Sequence, residues 1–280
     1  MNRPTTTMTE YRQIQEMLAE LHPDSVVRQR MVPPDIHQEA LSRLHQELRA
    51  EQLFMIVDLP TLSIVAAGGW HEMGYDDHTL TFRQYMQLVP NRGTYQTMVM
   101  MGGQTFRMAN QQLVRFASPA FIATVPLRHA DGRVLLVKRT ITPWQYATDG
   151  HILAYLSEFT IIKAYEGEPM NPRFRGLPPA VEQTFQQAIS FAFANLNTVY
   201  NPFSPKEMDI LRLYANHPNG EPPLTIRAIS QLMGNTVETV KSYQKGIVTK
   251  ARDLYDEQVA LKDTRDVALF LKRSGLLGSN

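Results

Sequence analysis

The sequence predicts an α+β domain followed by an all-α domain, and three observations support this. Short branched runs flank Asp131-Gly132 and Asp149-Gly150. This is typical of consecutive antiparallel strands, because both turn positions tolerate φ > 0. From Phe203 onward the apolar residues recur at helical spacing instead. Between these regions, residues 167–179 are rich in proline and glycine and lack steady periodicity, as expected of a linker.

The composition limits the class of protein. The chain has 280 residues, of which 43% are hydrophobic and 20% charged, and it has no cysteine. The length favours two domains, and the apolar content is sufficient for packed cores. The missing thiols exclude a disulfide scaffold, a thiolate zinc site and a cysteine nucleophile. Residues 1–10 do not resemble a signal peptide, and no run approaches the roughly 18 apolar residues of a membrane span. We therefore expect a cytoplasmic protein without a membrane partner.

The N-terminal region combines helices and strands. Residues 1–50 are predicted to form N-terminal helices, because apolar stripes within 11–21 and 36–48 have i, i+3, i+4 spacing. Residues 81–101 are helical or mixed in pattern. The strand-like runs are residues 53–59, 62–67, 121–127, 134–141 and 152–163. We expect these runs to form an antiparallel sheet of about five strands within residues 51–168.

The C-terminal region begins with a strong helix-start signal. Ser204 and Glu207 have the spacing of a capping box, and Pro205 suits the first helical position. This helix ends before Pro218, and a second, short helix runs from about Thr225 to the glycine at 234. Residues 203–280 are therefore predicted to form an all-α domain of about four helices.

The third of these helices, which starts at Asn235 or Thr236, has two distinct faces. An apolar face contains Val240, Tyr243, Ile247, Ala251 and Leu254 at about 100° per residue. Lys241, Lys245 and Arg252 share a neighbouring outward face, and no acid lies between Thr239 and Arg252. A helix, a tight turn and a helix with these two faces are what a helix-turn-helix requires. Ordinary solvated helices also carry basic faces, so charge alone does not decide the function.

Residues 203–273 resemble the LuxR-type (GerE-type) helix-turn-helix domain of bacterial transcription regulators. The run Phe203-Ser-Pro-Lys-Glu-Met-Asp-Ile-Leu follows the family's Leu-Thr-x-Arg-Glu-x-Glu-Val-Leu, and Thr239-Val240-Lys241 is its Thr-Val-Lys unchanged. In that family the Lys of this motif, the next residue and the residue four positions after the Lys face DNA. The departures are extra residues around 217–223 and after Lys250.

The resemblance and the basic face together predict a DNA-binding surface. Its residues are Thr236, Glu238, Thr239, Lys241, Ser242, Lys245, Lys250 and Arg252. Lys241 and Lys245 are expected to contact phosphates or guanine edges, and Lys250 and Arg252 to add attraction to the DNA backbone. The implied partners are double-stranded DNA and a second copy of the chain. Val267–Leu271 corresponds to the family's frequent dimer contact, and residues 36–48 and 181–193 are further candidates.

Residues 45–165 resemble a PAS sensor domain. Val57-Asp58-Leu59 is similar to the family's first-strand Asp position, and Met73-Gly74-Tyr75 to its Gly-Tyr after the second strand. The Asp131-Gly132 hairpin and the strand after it match its last three strands. The resemblance implies a sensing or dimerising domain at residues 51–168, with a helix-containing linker at 169–202. A small-molecule ligand or a partner protein would then control the spacing of two DNA-binding domains. An unrelated small α+β domain is the alternative.

No pattern in the sequence indicates catalysis, so we expect a protein that is not an enzyme. His71-Glu72 and Asp76-Asp77-His78 lack a recognised metal-ligand spacing. No cofactor is predicted, although haem held by His129 or His151 and a non-covalent flavin stay open for a PAS-like domain. The sequence singles out no ligand-binding residues. The favoured function is a DNA-binding transcription regulator, and the alternative is a signalling adaptor whose helical domain binds protein.

Overall fold

The computed structural model describes residues 8–23, 28–112, 120–195, 201–218, 222–255 and 259–277. The chain divides into two compact units. The first unit contains Met1–Tyr165 and Pro172–Phe185, and the second contains Glu166–Asn171 and Gln186–Asn280. The insertion predicted at residues 217–223 lies partly outside the described residues. None of the described helices is both long enough and apolar enough to cross a membrane.

The first unit is built on one antiparallel sheet. Its strands are β1 (Gln52–Asp58), β2 (Ser63–Gly68), β3 (Ala120–Arg128), β4 (Val134–Tyr146), β5 (Ile152–Ala164) and β6 (Arg173–Arg175). The sheet has six strands in the order β2-β1-β5-β4-β3-β6. All strand-like runs of the sequence analysis form strands, but the expectation of about five strands is one too few. The addition is β6, which lies in the predicted linker and pairs Phe174 with Phe121 of β3. A strand of only three residues is too short to show periodicity.

Helices cover both faces of this sheet. They are α1 (Met8–Leu21), α2 (Pro34–Glu47), a 3₁₀ turn (Trp70–Met73), α3 (Phe82–Gln87) and α4 (Arg92–Gln112). On one face, Leu41 and Leu44 of α2 and the following Leu48 pack against a cluster that includes Phe54 and Leu156. Most of the apolar stripe at residues 36–48 is therefore used inside the unit, although Ile36 is exposed.

The opposite face, called the inner face below, is covered by the 3₁₀ turn, α3 and α4. The rings of Trp70, Tyr85 and Phe159 pack against one another with centroid separations of 5.4–5.9 Å. Phe106 of α4 packs on Tyr155 of β5 at 5.1 Å. The strand register places Arg139 opposite Phe159 and Ile141 opposite Ser157. Aromatic rings therefore pack between this face and the helices.

Helix α5 (Pro179–Asn195) begins in the first unit and ends in the second. The second unit then continues with α6 (Pro205–Asn216), α7 (Ile226–Met233), α8 (Val237–Tyr255) and α9 (Thr264–Arg273). The predicted capping box at the start of α6 is confirmed. Ser204 Oγ accepts the Glu207 N–H at 3.3 Å, and the Glu207 carboxylate accepts the Ser204 N–H at 2.7 Å. Each later helix contributes to a common core, whose buried residues include Ile210, Ile229, Val240, Ile247, Val267 and Leu271.

Candidate functional site

A tight turn joins α7 to α8. Gly234 ends α7 with φ of 62°, a left-handed conformation that glycine adopts without the steric cost of a side chain. The next backbone N–H, of Asn235, donates to Ser230 O at 3.0 Å. The Ser230 hydroxyl donates to Asn235 O at 2.6 Å. These bonds fix the direction in which the chain leaves α7, so the described residues contain the helix, turn and helix that the sequence predicts.

The first predicted site residues form the N-terminus of α8. Thr236 Oγ1 accepts the Thr239 N–H at 3.2 Å, as a capping residue does. The two hydroxyl groups are also 2.8 Å apart. Glu238 is exposed, and its carboxylate accepts a hydrogen bond from Lys241 Nζ at 2.9 Å. Thr236 and Thr239 therefore stabilise the helix start, and Glu238 lies beside one of the two predicted contact lysines.

The exposed face of α8 brings together Lys241, Ser242 and Lys245, which all lie within about one helical turn. On the other side of the helix, Val240 and Ile247 are fully buried. Lys245 has no hydrogen-bond or ion-pair partner among the described residues. One side of α8 thus anchors the helix in the core, and the other side presents two ammonium groups and a hydroxyl to solvent.

Lys250 and Arg252 have partners within the second unit. Lys250 Nζ donates to Glu207 Oε2 at 2.6 Å, and the Glu207 side chain is only 5% exposed. Arg252 Nε donates to Leu261 O at 3.1 Å, in the segment that leads to α9. The structure therefore places these two cations in contacts that hold α8 to its neighbours. Their attraction to a DNA backbone stays a prediction.

Two residues that the sequence analysis did not include in the site belong to this arrangement. Glu207 joins the start of α6 to α8, and Gly246 lies where an added Cβ atom would be 2.8 Å from Glu207 Oε1. A glycine inside a helix costs about 1 kcal/mol relative to alanine. Gly246 in the middle of α8 therefore indicates that another group packs close to the helix at this position. The sequence does not show which group this is.

The first unit contains an apolar cavity at one end of the inner face. The centre of a water-sized sphere can occupy about 50 Å³ of it. The lining side chains include Phe106 of α4, Phe121 of β3, Ile141 of β4, and Phe174 and Phe185. Thr105 also lines it, and its hydroxyl oxygen is buried without a hydrogen-bond partner among the described residues. The sequence did not point to this cavity because its walls come from several separate elements.

The described residues contain no group of three or more His, Asp and Glu side chains placed to hold a metal ion. Asp77 instead accepts the Trp70 N–H at 2.6 Å, and so stabilises the start of the 3₁₀ turn. His129 Nδ1 accepts the Asp131 N–H at 3.1 Å in the hairpin between β3 and β4. These acidic and histidine side chains therefore form local turn contacts.

Comparisons with known proteins give structural matches only. No protein-family model matches the sequence, and no curated protein does either. The phage VqmA–DPO complex matches at 10% identity with a TM-score of 0.28, covering 88% of this chain and 93% of that chain. The Vibrio cholera VqmA–ligand–DNA complex matches at 15% identity with a TM-score of 0.27, covering 86% and 89%. An RNA-binding light-oxygen-voltage receptor matches at 10% identity with a TM-score of 0.27, covering 81% and 56%. TM-scores this low support no transfer of function, so the function proposed below rests on this chain's own residues.

Proposed function

We propose that this protein is a sequence-specific DNA-binding transcription regulator whose second unit binds the major groove through α8. The observation on which the proposal rests is the exposed group of Lys241, Ser242 and Lys245 on a helix whose opposite face is buried. A recognition helix needs this division, because one side must be fixed to a scaffold while the other reaches phosphates and base edges.

The dimensions and chemistry of α8 suit this task. The helix has 19 residues, so it is about 28 Å long, and its exposed lysines lie in the N-terminal half. In helix-turn-helix proteins the N-terminal residues of the second helix contact base edges. A lysine ammonium can donate to guanine O6 and N7 or to a phosphate, and a serine hydroxyl can bond to several base edges. Lys241 and Lys245 therefore supply electrostatic attraction, and Ser242 lies between them in sequence to add base discrimination.

We further propose that a small molecule bound by the first unit controls this activity in a dimer. The apolar cavity supports ligand binding, because small-molecule sites are concave and mostly apolar with few polar groups. Phe185 lines the cavity and belongs to α5, whose later residues belong to the second unit. A ligand that contacts Phe185 thereby acts on the helix that connects the two units. In a dimer, a change in that helix alters the spacing of the two α8 helices and hence the preferred half-site spacing.

Selection of binding sites from random duplex DNA tests the proposal. The full chain should be compared with the double variant Lys241→Ala/Lys245→Ala and with the control Lys206→Ala, which removes an exposed lysine of α6. We expect the wild type and the control to enrich the same inverted repeat, and the double variant to lose it. On that site, the log–log salt slope should fall by about 3.6 in the double variant if each of the four lysines of a dimer neutralises one phosphate.

The alternative function, a signalling adaptor, predicts a different outcome. If α8 binds protein, the wild type enriches no sequence at about 100 mM salt, where phosphate contacts still contribute to affinity. Loss of enrichment in all three proteins, or equal enrichment in all three, contradicts the DNA-binding role assigned to Lys241 and Lys245.

A further inference from the structure

An acidic side chain lies on the proposed DNA-contacting face of α8. The exposed residues of this face follow the spacing of one straight helical stripe, and they are Glu238, Lys241, Ser242, Lys245 and Thr249. Glu238 is the second residue of α8, so it lies at the end of the stripe where helix-turn-helix proteins contact base edges. Phosphates repel a carboxylate on a DNA-contacting surface. Glu238 therefore weakens DNA binding unless a hydrogen-bond donor in the groove compensates it.

Glu238 and Lys241 form a paired hydrogen-bond acceptor and donor. Lys241 Nζ lies 2.9 Å from Glu238 Oε1, and the two side chains are 52% and 80% exposed. An exposed ion pair at this spacing contributes little to the stability of a helix. A carboxylate accepts about four hydrogen bonds and an ammonium donates three, so each group retains capacity beyond the bond that joins them. The pair therefore presents an acceptor and a donor side by side to solvent.

This acceptor and donor match the major-groove edge of a C·G base pair. Cytosine offers its N4 amino group as a donor, and guanine offers O6 and N7 as acceptors. Within the base pair, cytosine N4 and guanine O6 are about 2.9 Å apart, the ordinary N–H···O separation. Glu238 Oε1 and Lys241 Nζ have the same separation of 2.9 Å. The carboxylate can therefore accept the free N4 hydrogen while the ammonium donates to the guanine of the same base pair.

The other bases match a carboxylate less well. Thymine O4 and guanine O6 and N7 are acceptors, so each of them repels a carboxylate. Adenine has a donor at N6, but the neighbouring N7 is an acceptor and repels the second carboxylate oxygen. Cytosine alone presents a donor without an acceptor beside it on its own major-groove edge. The carboxylate of Glu238 therefore favours cytosine over the three other bases.

We propose that Glu238 is a specificity-determining residue, which accepts a hydrogen bond from cytosine N4 while Lys241 donates to the guanine paired with that cytosine. The inference rests on the proposed DNA binding and deepens it, because it assigns a C·G base pair to each half-site. At every other base the carboxylate meets an acceptor or the phosphates without a matched donor. Discrimination therefore comes from repulsion of the wrong base as well as from attraction to the right one.

Selection of sites from random duplex DNA by the full chain tests this inference with two substitutions of Glu238. We expect the wild type to enrich cytosine at one position of each half-site. Glu238→Gln should enrich adenine there, because an amide pairs with adenine N6 and N7 together. Glu238→Ala should lose the preference for cytosine. The matched control is Asp253→Asn, which removes an exposed carboxylate about 22 Å farther along α8 and should select the wild-type site.

Binding to the selected site, and to the same site with that C·G pair replaced by T·A in one half-site, separates base recognition from helix stabilisation. The wild type should bind the altered site about 5- to 150-fold more weakly, and Glu238→Ala should lose most of this difference. A carboxylate in the first turn also stabilises a helix, and loss of that effect alone would weaken both sites equally.

Equal weakening of both sites, or enrichment of the wild-type bases by both variants of Glu238, overturns this inference and leaves the proposed DNA binding intact. If the wild type enriches no site, both the inference and the proposed DNA binding fail.

Discussion

Replacing Lys250 with methionine should destabilise the second unit. Lys250 Nζ donates to Glu207 Oε2 at 2.6 Å, and the Glu207 side chain is 5% exposed. Methionine keeps an unbranched apolar stem but removes the ammonium, and the Glu207 carboxylate retains the Ser204 N–H at 2.7 Å. A hydrogen bond to a charged group contributes about 1.5–3 kcal/mol, and breaking a buried ion pair costs about 3–5 kcal/mol.

The expected loss of unfolding free energy lies in the range of a single charged hydrogen bond, about 1.5–3 kcal/mol, and not in that of a fully buried ion pair. The Lys250 side chain is 37% exposed, so solvent screens part of its attraction to Glu207. We expect the free energy of unfolding to fall by about 2 kcal/mol, which lowers the midpoint of the second unit by about 10 °C. Far-UV circular dichroism should report this change. Tryptophan fluorescence should not, because Trp70 and Trp144 both lie in the first unit.

Lys245→Met is the matched control on the same helix. Lys245 is exposed and has no partner among the described residues, so its loss should change the free energy of unfolding by less than about 0.5 kcal/mol. The salt slope of the dimer for DNA binding should instead fall by about 1.8 with Lys245→Met, because two lysines are lost, and by less with Lys250→Met, because Glu207 already holds that ammonium. The reasoning is refuted if Lys250→Met retains the wild-type midpoint, or if it reduces the salt slope as Lys245→Met does.

Three further predictions concern stability. Gly246→Ala should lower the free energy of unfolding by about 1 kcal/mol, because the new Cβ would be 2.8 Å from Glu207 Oε1. A rise in the thermal midpoint, measured by circular dichroism, would instead show that the higher helix propensity of alanine outweighs this close contact. Gly74→Ala should cost about 2 kcal/mol, since φ is 76° and the new Cβ would be 2.6 Å from Ala130 Cβ, and urea unfolding followed by tryptophan fluorescence measures this loss. Burial lowers the pKa of His22 from 6.5 to about 4, so the unfolded chain takes up its proton first. The first unit should therefore lose up to about 3 kcal/mol as the pH falls from 6.5 to 4. Urea titrations across this range should show a smaller loss for His22→Gln, and an equal loss in both proteins would contradict the assignment.

Features that depend on neighbours in sequence can be predicted from the sequence alone. The Ser204–Glu207 capping box joins groups three residues apart, and the turn at Gly234 needs only the left-handed conformation of one glycine. The buried and exposed faces of α8 follow from helical periodicity, because 3.6 residues per turn decide which side chains share a side. The hairpins between β3, β4 and β5 follow from Asp-Gly turns and alternating strands.

The predicted linker contains a strand that local sequence patterns do not predict. Residues 169–202 are predicted to contain a helix, and α5 covers Pro179–Asn195. The same stretch also contains β6, whose three residues carry no periodic signal and form a strand because Phe174 meets Phe121 of β3. The pairing of β6 depends on a partner more than fifty residues away, which no pattern within the stretch can specify.

The sequence by itself determined the helix and strand types and the exposed lysines of α8, because these depend on residues within a few turns or one hairpin. The tertiary structure decided which of those lysines are available. Lys245 stays exposed, whereas Lys250 meets Glu207, 43 residues earlier in the chain. It also placed Arg139 beside Ser157 and three aromatic rings rather than beside an acid. Periodicity specifies the side of an element on which a residue lies, but only packing brings a particular partner to that side.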